Sequence, residues 1–353
     1  MKKLKIAVVG TGSISHSHIQ AYLENENAEL YAFCDINEKV LAAAGKKYGV
    51  TRLFTDEAEM PRALPEIDAV SVCTWNSAHA PCTIMAFEAG KDALCEKPMA
   101  LNAQEAQAML DTARRCGRKL MVGFVRRFGN DTAVMQDFIK DGALGEIYYA
   151  KATYLRRNGN PGGWFGDKSR SGGGPLIDLG VHVIDLTRYL MGNPKPVSVY
   201  GATFRKLGNR KGLKDGASYT SVSKSENDIC DVEDFAAALV RYDSGAVLSV
   251  ETSFCLNLKH DIGKIELFGT RGGMSLDPEL EIYTDCCGYL TDVTLHRSTA
   301  LSFDGLFEKE IDYFVDAAVN GKDLSSIAED GVMLMKILDA IYKSAETKRE
   351  VRI

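Results

Sequence analysis

Short, β-branched apolar runs alternate with amphipathic stretches through the first third of the chain. Residues 5–9 and 30–34 are two such runs, separated by a glycine turn and a polar-apolar segment that reaches residues 22–23. The alternation predicts helices at 37–47 and near 56–64, a strand at 69–73, a helix at 79–89 and a strand at 92–95. A helix at 102–116 and a strand at 119–122 follow. Helices alternating with fully apolar strands predict a parallel, doubly wound sheet whose ligands bind beyond the carboxyl ends of its strands.

After residues 124–128 the pattern changes. A helix at 131–141 leads to a strand at 146–156 and to a loop at 158–165 that is rich in turn residues and ends in Trp164-Phe165. Residues 171–190 are apolar almost all round. Gly172, Gly173 and Gly174 precede Pro175 at a helix start, and Gly192-Asn193-Pro194 stops the segment, which predicts a buried helix. Strand-like runs at 197–207, 229–242, 246–256, 263–268, 274–284 and 290–297, broken by turns such as Asp243-Ser244-Gly245, predict a mostly antiparallel sheet. The polar stretch 208–228 reads as a mobile surface loop, and helices at 305–320 and 326–348 close the chain.

With 353 residues, two domains are expected. The fold class is α/β: an N-terminal Rossmann doubly wound parallel sheet over 1–124, then a C-terminal α+β domain with a large, mostly antiparallel open sheet over 125–353. The exposed face of that sheet would need covering, commonly by another subunit.

Composition narrows the partners. The net charge is −6, the pI is near 5.6 and no long basic block occurs, which argues against nucleic acid. No apolar run has membrane-spanning length, and the run after the first lysines ends at Gly10 after a strand's length, so it reads as a strand rather than a leader. Nine cysteines, none in a Cys-x-x-Cys pair, suit reduced thiols and a cytoplasmic location. The six histidines do not pair with cysteines at ligand spacing, so no metal site is expected.

Candidate chemistry falls at strand ends and in the buried segment. Gly10, Thr11, Gly12, Ser13 and Ile14 between strand and helix form a dinucleotide-binding turn, with Ser15 where the third glycine of the fingerprint would stand. Asp35 closes the second strand, about 20 residues past the motif, where an acid binds ribose hydroxyls; it would repel a 2′-phosphate, so NAD is expected rather than NADP. Asp35 could equally cap the following helix. Thr74, Trp75, Asn76 and His79 follow one strand, and Glu96-Lys97-Pro98 follows the next. Pro98 restrains Lys97 toward an extended form suited to reaching a cleft. Asp178, His182 and Asp185 lie on one helical stripe, an acid and an imidazole suited to proton transfer at a hydroxyl.

The glycine turn, Glu96-Lys97-Pro98 and the run Gly-Gly-Gly-Pro-Leu-Ile-Asp-Leu-Gly-Val-His ending at His182 together resemble the glucose–fructose oxidoreductase / inositol dehydrogenase / rhizopine catabolism family. The order fits essentially the whole chain, including Asp231-Val-Glu-Asp-Phe before a strand. The resemblance implies a nicotinamide-dependent oxidoreductase acting on sugars, inositols or related polyols, with Lys97, Asp178 and His182 lining the active site. It also implies a basic residue, Arg127, near substrate or cofactor; Tyr154 and Trp164 complete the candidate substrate-binding set, and Glu96 and Lys97 the cofactor-binding set. His182 would take the hydroxyl proton and Lys97 stabilise the oxygen, or the two roles would be exchanged. A redox-cycling glycoside-cleaving enzyme and a nucleotide- and sugar-sensing regulator are the rival readings.

Overall fold

The longer strands of the first sheet bury side chains on both faces, which is why they read as continuous apolar runs in the sequence. The computed structural model describes residues 3–208, 210, 213–214, 219–276, 279–296 and 305–353. The chain divides into two units, Met1–Val125 with Asp304–Met335, and Arg126–Phe303 with Lys336–Ile353.

The first unit holds β1 (Leu4–Val9), β2 (Ala28–Cys34), β3 (Leu53–Phe54), β4 (Ala69–Val72), β5 (Asp92–Glu96) and β6 (Leu120–Gly123). They form a six-stranded sheet in the order β3-β2-β1-β4-β5-β6, every pair parallel. This is the Rossmann order, and its strand sequence reverses between β1 and β4, where such sheets bind ligands. The crossover helices are α1 (Ser15–Glu24), α2 (Glu38–Tyr48), α3 (Met60–Ala63), α4 (Asn76–Glu88) and α5 (Ala103–Cys116). Asn37 caps α2 and Asn102 caps α5, each side chain accepting backbone N–H bonds, a contribution of about 1 kcal/mol per cap.

Two expectations are corrected here. The helix near 56–64 shrinks to the four residues of α3, because Pro61 fits only its first turn and Leu64 ends it. Strand β3, which is only two residues long, is too short to leave a periodic signal. The helix expected at 79–89 begins three residues earlier, at Asn76, and accommodates Pro81 inside.

The second unit contains α6 (Asn130–Lys140), β7 (Ile147–Leu155), α7 (Lys168–Ser171), α8 (Val181–Leu190), β8 (Pro196–Phe204), β9 (Phe235–Tyr242), β10 (Val247–Ser253) and β11 (Ile262–Gly269). It continues with β12 (Gly272–Leu276), β13 (Leu280–Cys286), β14 (Tyr289–Val293) and β15 (Val351–Arg352). The nine-stranded sheet runs β14-β13-β12-β11-β7-β10-β9-β8-β15. All neighbours are antiparallel except β7 and β10, which run parallel. Ala150, Ala152, Val240, Leu248, Val250, Ile265 and Leu267 form its buried face, against which α8 lies.

The run expected as one strand at 274–284 is two, β12 and β13, with residues 277–278 outside the described residues. Residue 297, the end of the last expected strand, also lies outside them. So do residues 209, 211–212 and 215–218 of the expected loop 208–228, whose described part is tied down by Ser221 N–H donating to Pro161 O at 2.8 Å.

Helix α9 (Leu306–Asn320) and the first half of α10 (Ser325–Thr347) fall in the first unit, although the pattern placed the chain end in the second domain. The reason is local packing. Phe307 lies 5.6 Å from the His18 ring, Asn25 Nδ2 donates to Asp312, and Gly331 leaves room for Met99 and Val122.

Candidate active site

At the carboxyl end of β1 the chain must turn sharply between two strands. Gly10 N–H donates to Cys34 O of β2 at 2.8 Å. A Cβ on Gly10 would lie 2.6 Å from Cys73 O beyond β4, and its φ of +84° is one that side chains avoid, so only glycine fits. Gly12 has nothing within 4 Å of its would-be Cβ, so the backbone there is open to a phosphate. Helix α1 starts next with no side-chain cap; the His16 and Ser17 N–H groups bond back to Ser13 O and Ile14 O, and the helix dipole favours an anion at this end. Ser15 fills the third glycine position by donating its hydroxyl to Gly12 O at 2.7 Å, a bond that keeps the turn closed.

Asp35 follows β2. Its Oδ2 accepts the Thr11 N–H at 2.7 Å and the Thr11 hydroxyl at 3.0 Å, while Oδ1 accepts the Asn37 N–H at 2.8 Å. Asn37, not Asp35, caps α2. The acid is therefore fixed against the glycine turn, and the open cradle plus the fixed acid fit an NAD diphosphate and ribose. The expected consequence is that Asp35→Ser, which keeps an acceptor and removes the charge, narrows the NAD over NADP preference by about tenfold or more. Kinetics with both nucleotides check this; an unaltered ratio refutes the role.

The residues beyond β4 and β5 divide by burial. Thr74 and Trp75 are half-buried at the start of α4, whereas Asn76 and His79 are buried. His79 places Nδ1 2.6 Å from Pro98 O and Nε2 3.1 Å from Thr74 O, so it joins the two strand ends. Burial lowers its pKa. Such a ring positions main chain and has neither nitrogen turned to a nucleotide. Glu96, expected among the cofactor-binding residues, is likewise buried: Oε1 lies 2.7 Å from His18 Nε2, and Oε2 accepts the Lys97 N–H at 3.0 Å. Lys97 alone of residues 93–100 is half-buried, and the Lys97–Pro98 bond is cis.

Behind Lys97 lies a charged group that the sequence reading missed. His18, Glu96 and Glu310 are buried with ligand atoms within 4.8 Å of one another. His18 Nδ1 also meets Ser71 Oγ at 2.9 Å. Burial opposes protonation of His18, but Cys73 and Glu96 raise its pKa well above the ordinary value. Burial also opposes ionisation of Glu96, yet His18 holds its carboxyl below the usual range. Glu310 has no hydrogen-bond partner for either oxygen among the described residues, and burial, then the Glu96 charge, push it up to about 8. The signal was available: Leu306, Glu310 and Phe314 share one face of α9, so a carboxylate occupies a core position.

In the second unit the expected single helix begins instead with a π turn, Leu176–Gly180, that leads into α8. Asp178 lies in the turn and His182 on α8. Between Leu176 and Arg188 these two side chains alone are half-buried; every other residue there is buried. Asp185, the third member of the stripe, is buried under Arg127, whose Nε and Nη2 reach its two oxygens at 2.9 and 2.6 Å. The Arg127 guanidinium also lies 4.6 Å from the Tyr189 ring. Arg127 is thus committed to α8, a bidentate pair whose disruption would strand a buried charge. Tyr154 packs beside Leu179, Phe254 and Cys255, with the Arg156 guanidinium 5.4 Å from its ring. Trp164 stacks on Phe165 at 3.9 Å, and Phe165 meets the edge of Tyr219 at 6.2 Å.

The triple glycine before this segment packs against the protein itself. Side chains at Gly173 and Gly174 would collide with the Tyr342 hydroxyl and the Glu233 main chain, so these glycines admit the protein's own atoms.

Residues 4–124 match the model of the oxidoreductase family with an NAD-binding Rossmann fold, and residues 132–275 match the GFO/IDH/MocA C-terminal domain. The chain is 34% identical to D-glucoside 3-dehydrogenase of Escherichia coli (strain K12), over 99% of this chain and 97% of that one. It is 28% identical to inositol 2-dehydrogenase of Rhizobium meliloti (strain 1021), over 99% of each. Levoglucosan dehydrogenase in complex with NADH superposes with a TM-score of 0.83 at 26% identity, covering 100% of this chain and 99% of that one.

Proposed function

The chain belongs to the GFO/IDH/MocA family of NAD-binding oxidoreductases, and from that premise we propose that it oxidises one secondary hydroxyl of a sugar, glycoside or inositol. Bound NAD supplies the hydride acceptor. Gly10, Thr11, Gly12, Ser13 and Ile14 hold its diphosphate and Asp35 its ribose. His182 takes the hydroxyl proton, a task suited to an imidazole near neutral pH. Lys97 donates a hydrogen bond to the same oxygen and stabilises its developing negative charge. Asp178 accepts from a neighbouring hydroxyl and so sets which carbon is oxidised. Tyr154 and Trp164 supply ring faces for the apolar side of a sugar, and Arg127 fixes α8 through Asp185.

One observation carries this reading: in an otherwise buried segment, the acid and the imidazole alone remain half-buried. The test is absorbance of NADH when protein and NAD meet methyl glucosides, free aldoses and myo-inositol, with NADP in parallel. A steady rise with NAD and one sugar class is expected. Glycoside cleavage without net NADH would replace this reading by redox cycling, and no change in any mixture would refute both.

The same reading extends to assembly and location. The outer face of the nine-stranded sheet exposes Tyr200, Phe204 and Leu239, at 56%, 42% and 49%, on adjacent strands β8 and β9. A second copy covers this face, giving a dimer or tetramer. Leu239→Glu is expected to shift the mass measured by light scattering to the monomer; an unchanged mass refutes the interface. All nine cysteines are unbridged, in keeping with a reducing cytoplasm, and among the described residues no helix is long and apolar enough to cross a membrane.

A further inference from the structure

The segment bearing Asp178 and His182 begins with a π turn, whose hydrogen bonds are poorer than those of an α-helix and whose first N–H groups lack acceptors within it. Those donors are met from outside. Glu233 Oε2 accepts the Gly174 N–H at 2.9 Å, and Oε1 accepts the Leu176 N–H at 3.2 Å. The Tyr342 hydroxyl donates to the same Oε1 at 2.9 Å. Gly174 O in turn accepts the Asp178 N–H at 3.1 Å, so one hydrogen bond separates the Glu233 clasp from the Asp178 backbone. Glu233 is itself anchored on both sides. Asp231 Oδ1 accepts the Lys168 N–H at 2.8 Å, and Asp234 Oδ2 accepts the N–H groups of Lys206 at 2.6 Å and Gly208 at 2.9 Å.

We propose that Glu233, oriented by Tyr342, is a positioning residue that sets the placement of Asp178 and His182 toward substrate. This rests on the reading of those two residues given above. The physical basis is a carboxylate at the start of a helical segment, where two charge-assisted N–H bonds fix the backbone and the helix dipole favours the negative charge. It also accounts for two of the three glycines: the clasp closes only if Gly173 and Gly174 present no side chain to Tyr342 and Glu233.

The test compares wild type, Glu233→Gln, Tyr342→Phe and His182→Ala, with kcat expressed per NAD-binding site. The substrates are methyl glucoside and myo-inositol. Both Glu233 oxygens accept N–H bonds, so a glutamine amide faces a donor in either orientation and loses one of them. Glu233→Gln is expected to lower kcat per site by about tenfold or more, with NAD affinity within about twofold of wild type. Tyr342→Phe, which keeps both N–H bonds, is expected to lower it about threefold, and it serves as the test if Glu233→Gln does not fold. A purely structural role would lower the melting temperature and the number of binding sites without altering kcat per site. Wild-type kcat per site in a folded Glu233→Gln, or in Tyr342→Phe if only that variant folds, overturns the proposal provided His182→Ala has lost activity. If His182→Ala also retains full activity, it is the underlying reading of the site that fails.

Discussion

Lys97→Ala and His182→Ala are each expected to lower turnover by about 10²-fold or more while leaving NAD affinity within about threefold of wild type. The separation follows from the elements that carry the residues. The glycine turn and Asp35 make their bonds to each other, so the nucleotide site is expected to survive both changes. Lys97 is half-buried at a strand end; its backbone N–H, held by Glu96, is retained in the alanine variant. His182 is half-buried on α8, and its loss leaves the Arg127–Asp185 pair that fixes this helix in place. A general base and an electrostatic stabiliser each contribute on the order of 10² to 10⁴ in rate. Stopped-flow formation of NADH combined with a nucleotide titration measures both quantities. Turnover near that of wild type in both variants would refute the assignment.

Glu310→Gln is expected to flatten the dependence of stability on pH between about pH 5 and about pH 8. The ordinary carboxyl value is 4.5 and that of Glu310 is about 8, raised by burial first and by the Glu96 charge second. A raised folded-state value means that the fold favours the neutral acid. The associated stability is complete below pH 4.5 and is lost as pH rises through about 8. The groups facing this carboxyl are His18 and Tyr22 on α1 and Glu96 on β5. His18 acts with the same sign, because its own raised value also favours the protonated form in the fold; Glu96, held low, acts with the opposite sign. Glutamine cannot ionise, so the variant gains on wild type between pH 5 and pH 8.5 by an amount on the order of 3–5 kcal/mol. Melting temperatures recorded across that range read it directly. Parallel curves for the two proteins would show that Glu310 does not titrate in the fold.

Much of the fold was legible because burial imposes a period. The parallel strands are buried on both faces and the helices carry one apolar stripe, so β1, β2, β4, β5 and β6 and their crossovers stand out from the pattern alone. The glycine turn was legible for a similar reason, since a sharp turn under a helix start leaves few residue types that fit Gly10. The elements missed were those with too few residues to show a period, β3, α7 and β15, and the helix that Pro61 shortens was read too long. The π turn left no mark, because an extra residue in a helical turn changes hydrogen bonding and not composition.

Within the site, the motif residues Lys97, Asp178 and His182 were named from local sequence, and their exposure relative to buried neighbours is a property of each segment. The partners were not. Asp185 reads as a third polar residue on the stripe until Arg127, 58 positions away, covers it. Glu96 reads as a cofactor ligand until His18, 78 positions away, occupies it. Glu233 and Tyr342, separated by 109 positions, meet at the triple glycine. The sequence by itself determined most of the segments that are strands and helices and which residues are proposed to carry the chemistry, because those depend on neighbours a few positions apart. Only the tertiary structure decided which polar groups face solvent and which are spent on one another, because a buried charge must find its partner wherever the fold brings one within about 3 Å.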